Sequence, residues 1–314
     1  MRAVRIGGGG PRVVDVPEPV QRGVRVRVAS AGICGSDLHM VARYPLQATL
    51  GHEFAGWLDD GTPVAVEPLD PCWTCPPCRN GDYHRCVKGP ATILGVGRDG
   101  GMAERCVVPA SALIALPSGL PVGDACLVEP LAVAVHAVRR GRLAAADAVA
   151  VVGGGAIGLC TVAAAGHVGA RVDLAARHDG QRAAGATLGA GAVADDATER
   201  YDVVIDAAGT SASLTRSVEL TRSGGRVVMV ATYWDGLSIP ADQVSRREID
   251  LLPAAQYHRE GPSRDVDVAA AILARDPRIA AALITHRFPL DAAVEAFETA
   301  ADRRAGAIKV VLEP

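Results

Sequence analysis

Four of the eight cysteines crowd into one short segment, as Cys72, Cys75, Cys78 and Cys86 in PCWTCPPCRNGDYHRC. Thiolates with two residues between them converge on one ion, and four of them complete a closed tetrahedral Zn²⁺ shell with no position left for a substrate. Pro71, Pro76 and Pro77 hold the turns between them, and Gly81 permits the reversal that returns Cys86. A pair of disulfides is set against by the opening MRAVRIGGGG, which lacks the basic start and apolar run of an export signal. A [4Fe–4S] cluster uses a different spacing. The segment predicts a structural zinc that anchors a lobe and does no chemistry.

Cys34 stands apart from that cluster, in GICGSDLH, and His52 and Glu53 follow in LGHEFAG. Cysteine, histidine and a carboxylate from separate segments are the ligand set of a catalytic zinc that keeps one position open. Taken alone, Cys34 is more often a small buried hydrophobe, and His52 a loop histidine satisfied by its neighbours. Cys106, Cys126 and Cys160 have apolar or strand-like neighbours and are expected in the core.

Gly153-Gly154-Gly155-Ala156-Ile157-Gly158 supplies a third chemistry, GxGxxG with Gly153, Gly155 and Gly158 as its glycines. The pattern follows an apolar strand and opens a helix inside a βαβ unit, the context in which it binds a dinucleotide. The glycines let a pyrophosphate approach the backbone, and the N-terminus of the helix that opens at Ala156 and Ile157 favours its charge. The end of the next strand separates NAD from NADP, because a carboxylate there repels a 2′-phosphate that a small residue followed by Arg accepts. Ala176 and Arg177 fall there and point to NADP. A strand end shifted by three residues would bring Asp173 or Asp179 into play and restore NAD.

These groups need elements to carry them. The first 120 or so residues alternate apolar and polar, as in Val24–Val28, and Asp59-Asp60-Gly61 marks a hairpin turn. A β-rich domain follows from that rhythm. Then Ala148–Val152, Arg171–Ala175, Tyr201–Asp206 and Gly225–Ala231 read as apolar strands. Ala156–Val168, Gln181–Leu188 and Ser213–Thr221 read as helices between them. That alternation indicates a doubly wound parallel sheet, an α/β architecture with strands buried on both faces. After Ile249–Leu252 come helices near Val266–Ala274 and Leu290–Ala301, and the strand Ile308–Leu312 fits the β domain better than the parallel sheet. The expected division is a β-rich part over 1–130, a cofactor-binding domain over 131–255, and a return segment over 256–314.

Composition narrows the classes further. Lys plus Arg number 32 against 35 Asp plus Glu, a net charge of −3, and aromatic residues make up 4%. Neither a basic footprint nor a stacking platform for nucleic acid is present. The 19 residues from Ala148 to Gly166 carry no charge, but the glycines at their centre fit a strand, a turn and a buried helix rather than a membrane span. A cytoplasmic protein with no membrane partner is expected.

The set GICGSDLH, LGHEFAG, CxxCxxC with its fourth cysteine, VEPLAVAVHAV, VVGGGAIG and YDVVIDAAG resembles the zinc-dependent medium-chain dehydrogenase/reductase family. The similarity is strongest to its polyol, sugar-alcohol and threonine dehydrogenase branch, and extends to the closing ITHRFPLDAAVEAFE and GAIKVVLEP. It implies a GroES-like catalytic domain around an inserted Rossmann domain, one catalytic and one structural zinc, NADP or NAD, and hydride transfer between an alcohol or polyol (or its ketone) and the cofactor. It implies that Cys34 and His52 are catalytic-zinc ligands, with either Glu53 or Glu129 as the carboxylate and Cys126 as a weaker rival. Ser36 matches the hydroxyl that takes the substrate proton, His39 the histidine that passes it on, and Tyr257 a substrate-side position. A dimer or tetramer is the implied assembly.

Two departures stand out. Phe54–Val64 is abbreviated, which puts the outer wall of the pocket in question, and the usual acidic residue at the end of the second cofactor-domain strand is replaced. Two rival readings are a zinc-free reductase of activated double bonds, which should lack Cys34, His52 and Glu129, and a non-catalytic zinc or dinucleotide-binding scaffold, which should have lost Ser36, His39 or a ligand.

Overall fold

The computed structural model describes residues 1–7, 9–20, 22–44 and 47–314. The chain divides into two units, Met1–Glu129 with His258–Pro314, and Pro130–Tyr257. The crossings fall at 129/130 and 257/258, where 130/131 and 255/256 were expected.

In the first unit, Val24–Ile33 is the strand on which the rest is assembled. It pairs antiparallel with Glu53–Trp57, Arg105–Val108 and the last strand, Lys309–Glu313, within a seven-stranded sheet. Lys309–Glu313 also pairs in parallel with Ile284–Pro289, so the return segment contributes two strands to the sheet. Glu53–Trp57 turns directly into Pro63–Val66, with Leu58 N–H donating to Thr62 O at 2.9 Å and Gly61 at φ +86°. The abbreviated stretch is therefore a tight hairpin, as the Asp-Gly signal required. Alternating side chains of these strands, among them Val26, Val28, Phe54, Val64, Val66, Val310 and Leu312, meet Met102, Leu290 and Phe297 in one core. Cys106, Cys126 and Cys160 are buried, as their neighbours predicted.

In the second unit the strands Gly191–Ala192, Arg171–Ala175, Ala148–Val152, Tyr201–Asp206, Thr221–Met229 and Asp250–Pro253 lie side by side in that order, every neighbouring pair parallel. Counted along this unit the order is 3-2-1-4-5-6, with the reversal between Ala148–Val152 and Tyr201–Asp206. Val149, Val151, Val203, Val204, Ile205, Val227 and Val228 are wholly buried. Such strands lose water from both faces, which is why they read as unbroken apolar runs. The uncharged stretch from Ala148 resolves into the first strand, the glycine turn and the helix Ala156–His167. Among the described residues no helix is long and apolar enough to cross a membrane.

Two helix starts fall earlier than the hydrophobic pattern placed them, and at Ser211 a cap accounts for it. The second helix begins at Asp179 and the third at Ser211, each two residues ahead of its expected start. Thr210 and Ser213 close a capping box there, each side chain bonded to the other's backbone N–H.

Candidate active site and cofactor loop

Cys34 ends the strand Val24–Ile33 and stands at the N-cap of the helix Gly35–Arg43. Its own N–H donates to Asp37 Oδ2 at 2.9 Å, and the Asp37 N–H returns to Cys34 O at 3.0 Å. This reciprocal cap fixes the backbone at Cys34 and buries Asp37 completely. His52 enters from the segment ahead of Glu53–Trp57. Its Nδ1 lies 3.4 Å from Asp37 Oδ1, which leaves Nε2 for the site, and Ser36 Oγ is 3.3 Å from that Nε2. Burial works against a charged imidazole here, but Asp37 and then Cys34 outweigh it and raise the His52 pKa well above its ordinary value.

Cys34, His52 and Glu53 bring their ligand atoms within 4.8 Å of one another. A thiol, an imidazole and a carboxylate at that separation, with the imidazole held from behind by a carboxylate, fit a zinc ion and its usual outer support. Glu53 is not an isolated anion. Lys309 Nζ reaches its two oxygens at 2.5 and 2.8 Å and donates also to Ile33 O at 3.1 Å. Burial alone would lower the Lys309 pKa, yet Glu53 and the thiol of Cys34 push it upward. Glu129 is buried at the head of the helix Val128–Arg140 and lies outside this three-donor group. His39 sits one turn after Ser36 on the same helix, half-buried, and is likewise outside the group. Tyr257, the suggested substrate-side residue, closes the second unit with its ring buried.

The four clustered cysteines meet as their spacing required, with ligand atoms within 4.8 Å of one another. Cys75 and Cys78 Sγ are 3.3 Å apart, and the Cys75 N–H points at Cys72 Sγ at 3.4 Å. Hydrogen bonds from Thr74 and Cys75 lower the Cys72 thiol to about 5, whereas burial and neighbouring sulfurs raise Cys78 to about 12. Four sulfurs this close cannot all ionise unaided, and a divalent ion removes that conflict. The donor set fits a closed zinc site.

In the second unit the glycine loop follows Val152 at the point where the strand order reverses. Gly153 adopts φ +113°, a left-handed conformation open to glycine. A Cβ on Gly158 would stand 1.8 Å from Gly153 O, and one on Gly154 would stand 2.7 Å from Ala176 Cβ. Around Gly155 that space is empty, and the helix that starts at Ala156 and Ile157 has no side-chain cap. Backbone N–H groups at such a start offer themselves to an anion.

The strand Arg171–Ala175 ends where expected, so Ala176 and the exposed Arg177 follow it directly. Asp173 lies inside the strand and accepts from Tyr201 Oη at 2.8 Å, and Asp179 belongs to the following helix, ion-paired with Arg182. Arg182 also donates to Ala176 O at 2.8 Å, adding a second cation beside Arg177 that the motif alone did not reveal. Asp37 and Lys309 were also missed; neither belongs to a spacing pattern, and only contact across the fold gives them a role.

Comparison with known proteins agrees with this construction. The family model for the alcohol dehydrogenase GroES-like domain matches residues 21–118, and that for zinc-binding dehydrogenases matches residues 156–271. L-galactonate-5-dehydrogenase of Escherichia coli is 31% identical, the match covering 90% of this chain and 89% of the relative. The crystal structure of galactitol-1-phosphate dehydrogenase from Escherichia coli superposes with a TM-score of 0.88 at 28% identity, covering 100% of both chains. A zinc-binding dehydrogenase from Sinorhizobium meliloti, solved with NADP bound, gives a TM-score of 0.85 at 29% identity over 100% of this chain and 99% of that one. A GroES-like unit with its cysteine lobe, a parallel sheet with its glycine loop, and relatives aligned nearly end to end together show that the chain belongs to the zinc-dependent medium-chain dehydrogenase/reductase family.

Proposed function

We propose that this protein is a zinc-dependent, NADP-preferring dehydrogenase that oxidises a secondary alcohol of a polyol or sugar acid, or reduces the corresponding ketone. The observation that carries the reading is the convergence of Cys34, His52 and Glu53 within 4.8 Å, with Ser36 Oγ 3.3 Å from His52 Nε2. The relatives named for galactonate and galactitol phosphate support the substrate class. The unit of Met1–Glu129 and His258–Pro314 is the catalytic domain in this proposal, and Pro130–Tyr257 the cofactor domain.

Cys34 and His52 hold the catalytic ion. The carboxylate comes from Glu53, which lies within the donor group and has Lys309 on both oxygens; Glu129, outside that group, is the alternative ligand. A zinc ion held there supplies Lewis acidity that makes an alcohol oxygen easier to deprotonate near neutral pH. Ser36 receives that proton at Oγ, and His39, one helical turn on, passes it toward solvent. Gly153, Gly155 and Gly158, with the N–H groups of Ala156 and Ile157, receive the pyrophosphate; Ala176 leaves room for a 2′-phosphate that Arg177 pairs. Cys72, Cys75, Cys78 and Cys86 hold a second, structural ion. Cysteines kept as zinc ligands and buried thiols suit a reducing cytoplasm, and a homo-oligomer follows the family habit.

The zinc-free reductase reading is disfavoured because Cys34 and His52, which it should lack, are brought together with Glu53. The test is metal analysis after dialysis into metal-free buffer, with a panel of polyols, sugar acids and ketones under NADP and NAD. Two tightly held zinc ions are expected. Cys34→Ala should retain one, stay folded and lose at least about 10³-fold in kcat/KM, a loss of about 4 kcal/mol of transition-state stabilisation. Loss of both ions, or turnover that survives, overturns the assignment.

A further inference from the structure

Beyond the two cysteine-containing sites, a third group of metal-binding side chains lies in the same unit. We propose that Asp82, His84 and His258 form an additional divalent-cation site, suited to Zn²⁺ or a similar borderline transition-metal ion, which ties the cysteine lobe to the return segment. The ligand atoms of the three residues lie within 4.8 Å of one another. His258 Nδ1 is 3.4 Å from Asp82 Oδ1, and the two imidazoles meet edge to face with centroids 5.3 Å apart. Two imidazole nitrogens and one carboxylate oxygen are a donor set that suits Zn²⁺, Co²⁺ or Ni²⁺ and leaves an open position for water.

Both legs of the site are held by contacts that do not use the donor atoms. Asp82 and His84 belong to the short turn around Tyr83–Arg85, fixed between Cys78 and Cys86 of the cysteine cluster. Gly81, at φ +87°, reverses the chain there, and its Cβ position lies 3.6 Å from Arg259 O, so the turn runs alongside the hairpin that follows His258. On the other leg, His258 N–H donates to Asp265 Oδ2 at 2.8 Å and Asp265 N–H donates to His258 O at 2.9 Å. Ligands of one tetrahedral zinc at about 2.0–2.1 Å stand roughly 3.4 Å apart, so donors within 4.8 Å need to close by at most about 1.4 Å, within the reach of side-chain rotation. Asp82 and His258 keep 28% and 21% of their side chains exposed, which gives the ion a path in. Arg85 also pairs with Asp82 and competes with a cation, so this ion binds more weakly than the one in the four-thiolate shell.

The probe is Zn²⁺ alone. Full-length protein is dialysed to equilibrium against buffers of rising free Zn²⁺, and bound metal is counted by mass spectrometry. Wild type is expected to take up one more ion than His84→Ala or His258→Ala at the same free Zn²⁺, while His167→Ala, an exposed control, matches wild type. With Co²⁺ in place of Zn²⁺, the thiolate charge-transfer absorption should persist in both variants, and His84→Gln should reproduce the lost ion if the alanine change unfolds the turn. Equal counts in wild type and variants overturn the site, as does charge-transfer absorption that falls with the count, since the histidines would then serve the cysteine cluster. The comparison is independent of the proposed activity: failure of the catalytic zinc shows as an unchanged count in Cys34→Ala, and failure of this site as an unchanged count in the histidine variants.

Discussion

His52 is held on one side by a buried carboxylate and faces a hydroxyl on the other, and this sandwich decides how its ring is used. Asp37 Oδ1 stands 3.4 Å from Nδ1, and Nε2 lies on the other side, 3.3 Å from Ser36 Oγ. Outer partners of this kind are worth about 10–100-fold in metal affinity or activity. Asp37→Asn should therefore weaken zinc retention at the Cys34 site by about that factor in chelator competition while the four-cysteine ion is kept; equal loss from both sites would point to unfolding instead. Lys309 and Glu53 present the opposite risk, two charges out of water that are tolerable only together. Lys309→Met leaves the carboxylate buried without its cation and should cost about 3–5 kcal/mol in urea unfolding. Adding Glu53→Gln should recover much of that loss, and a double variant no more stable than the single one would show that the lysine acts through packing alone.

At the scale of single elements, the proposed NADP preference rests on the end of the strand Arg171–Ala175. The strand stops at Ala175, opposite Val152, and the following loop carries Ala176 and Arg177 rather than a carboxylate. A hydrogen bond to a charged group contributes about 1.5–3 kcal/mol, or roughly 10–150-fold in binding. Arg177→Asp should raise the KM for NADP by at least about tenfold and lower that for NAD. An unmutated enzyme that already prefers NAD would end the NADP assignment. The strands of this unit were legible because burial on both faces demands continuous Val, Ile and Ala, and turn residues bound each run. Helix starts were less so: the helices begin at Asp179 and Ser211, and at Ser211 a cap supplies hydrogen bonds that a hydrophobic pattern does not contain.

For the whole molecule, the chain leaves the β-rich unit at Glu129 and re-enters at His258 to complete it. The last strand fills the place between Ile284–Pro289 and Val24–Ile33, and it also brings the cation of Lys309 to Glu53. Residues 1–129 alone would expose an unpaired strand edge and a buried uncompensated carboxylate. They are expected to stay unfolded or aggregate when expressed, whereas 1–129 joined to 258–314 by a flexible linker, and 130–257 by itself, should each give a cooperative thermal transition by circular dichroism. A dispersed amide spectrum from 1–129 alone would contradict this.

What the amino-acid order alone determined is whatever depends on near neighbours: the four-cysteine cluster, the glycine loop between a strand and a helix, and the alternation that separates a β-rich part from a parallel sheet. These are local because ligand spacing, backbone freedom and hydrophobic period all act over a few residues. Tertiary structure decided the pairings that join distant positions, Asp37 behind His52, Lys309 against Glu53 across 256 residues, and His258 beside Asp82. Electrostatic and hydrogen-bond contacts depend on distance in space, and no period or motif along the chain encodes which far-off side chain arrives there.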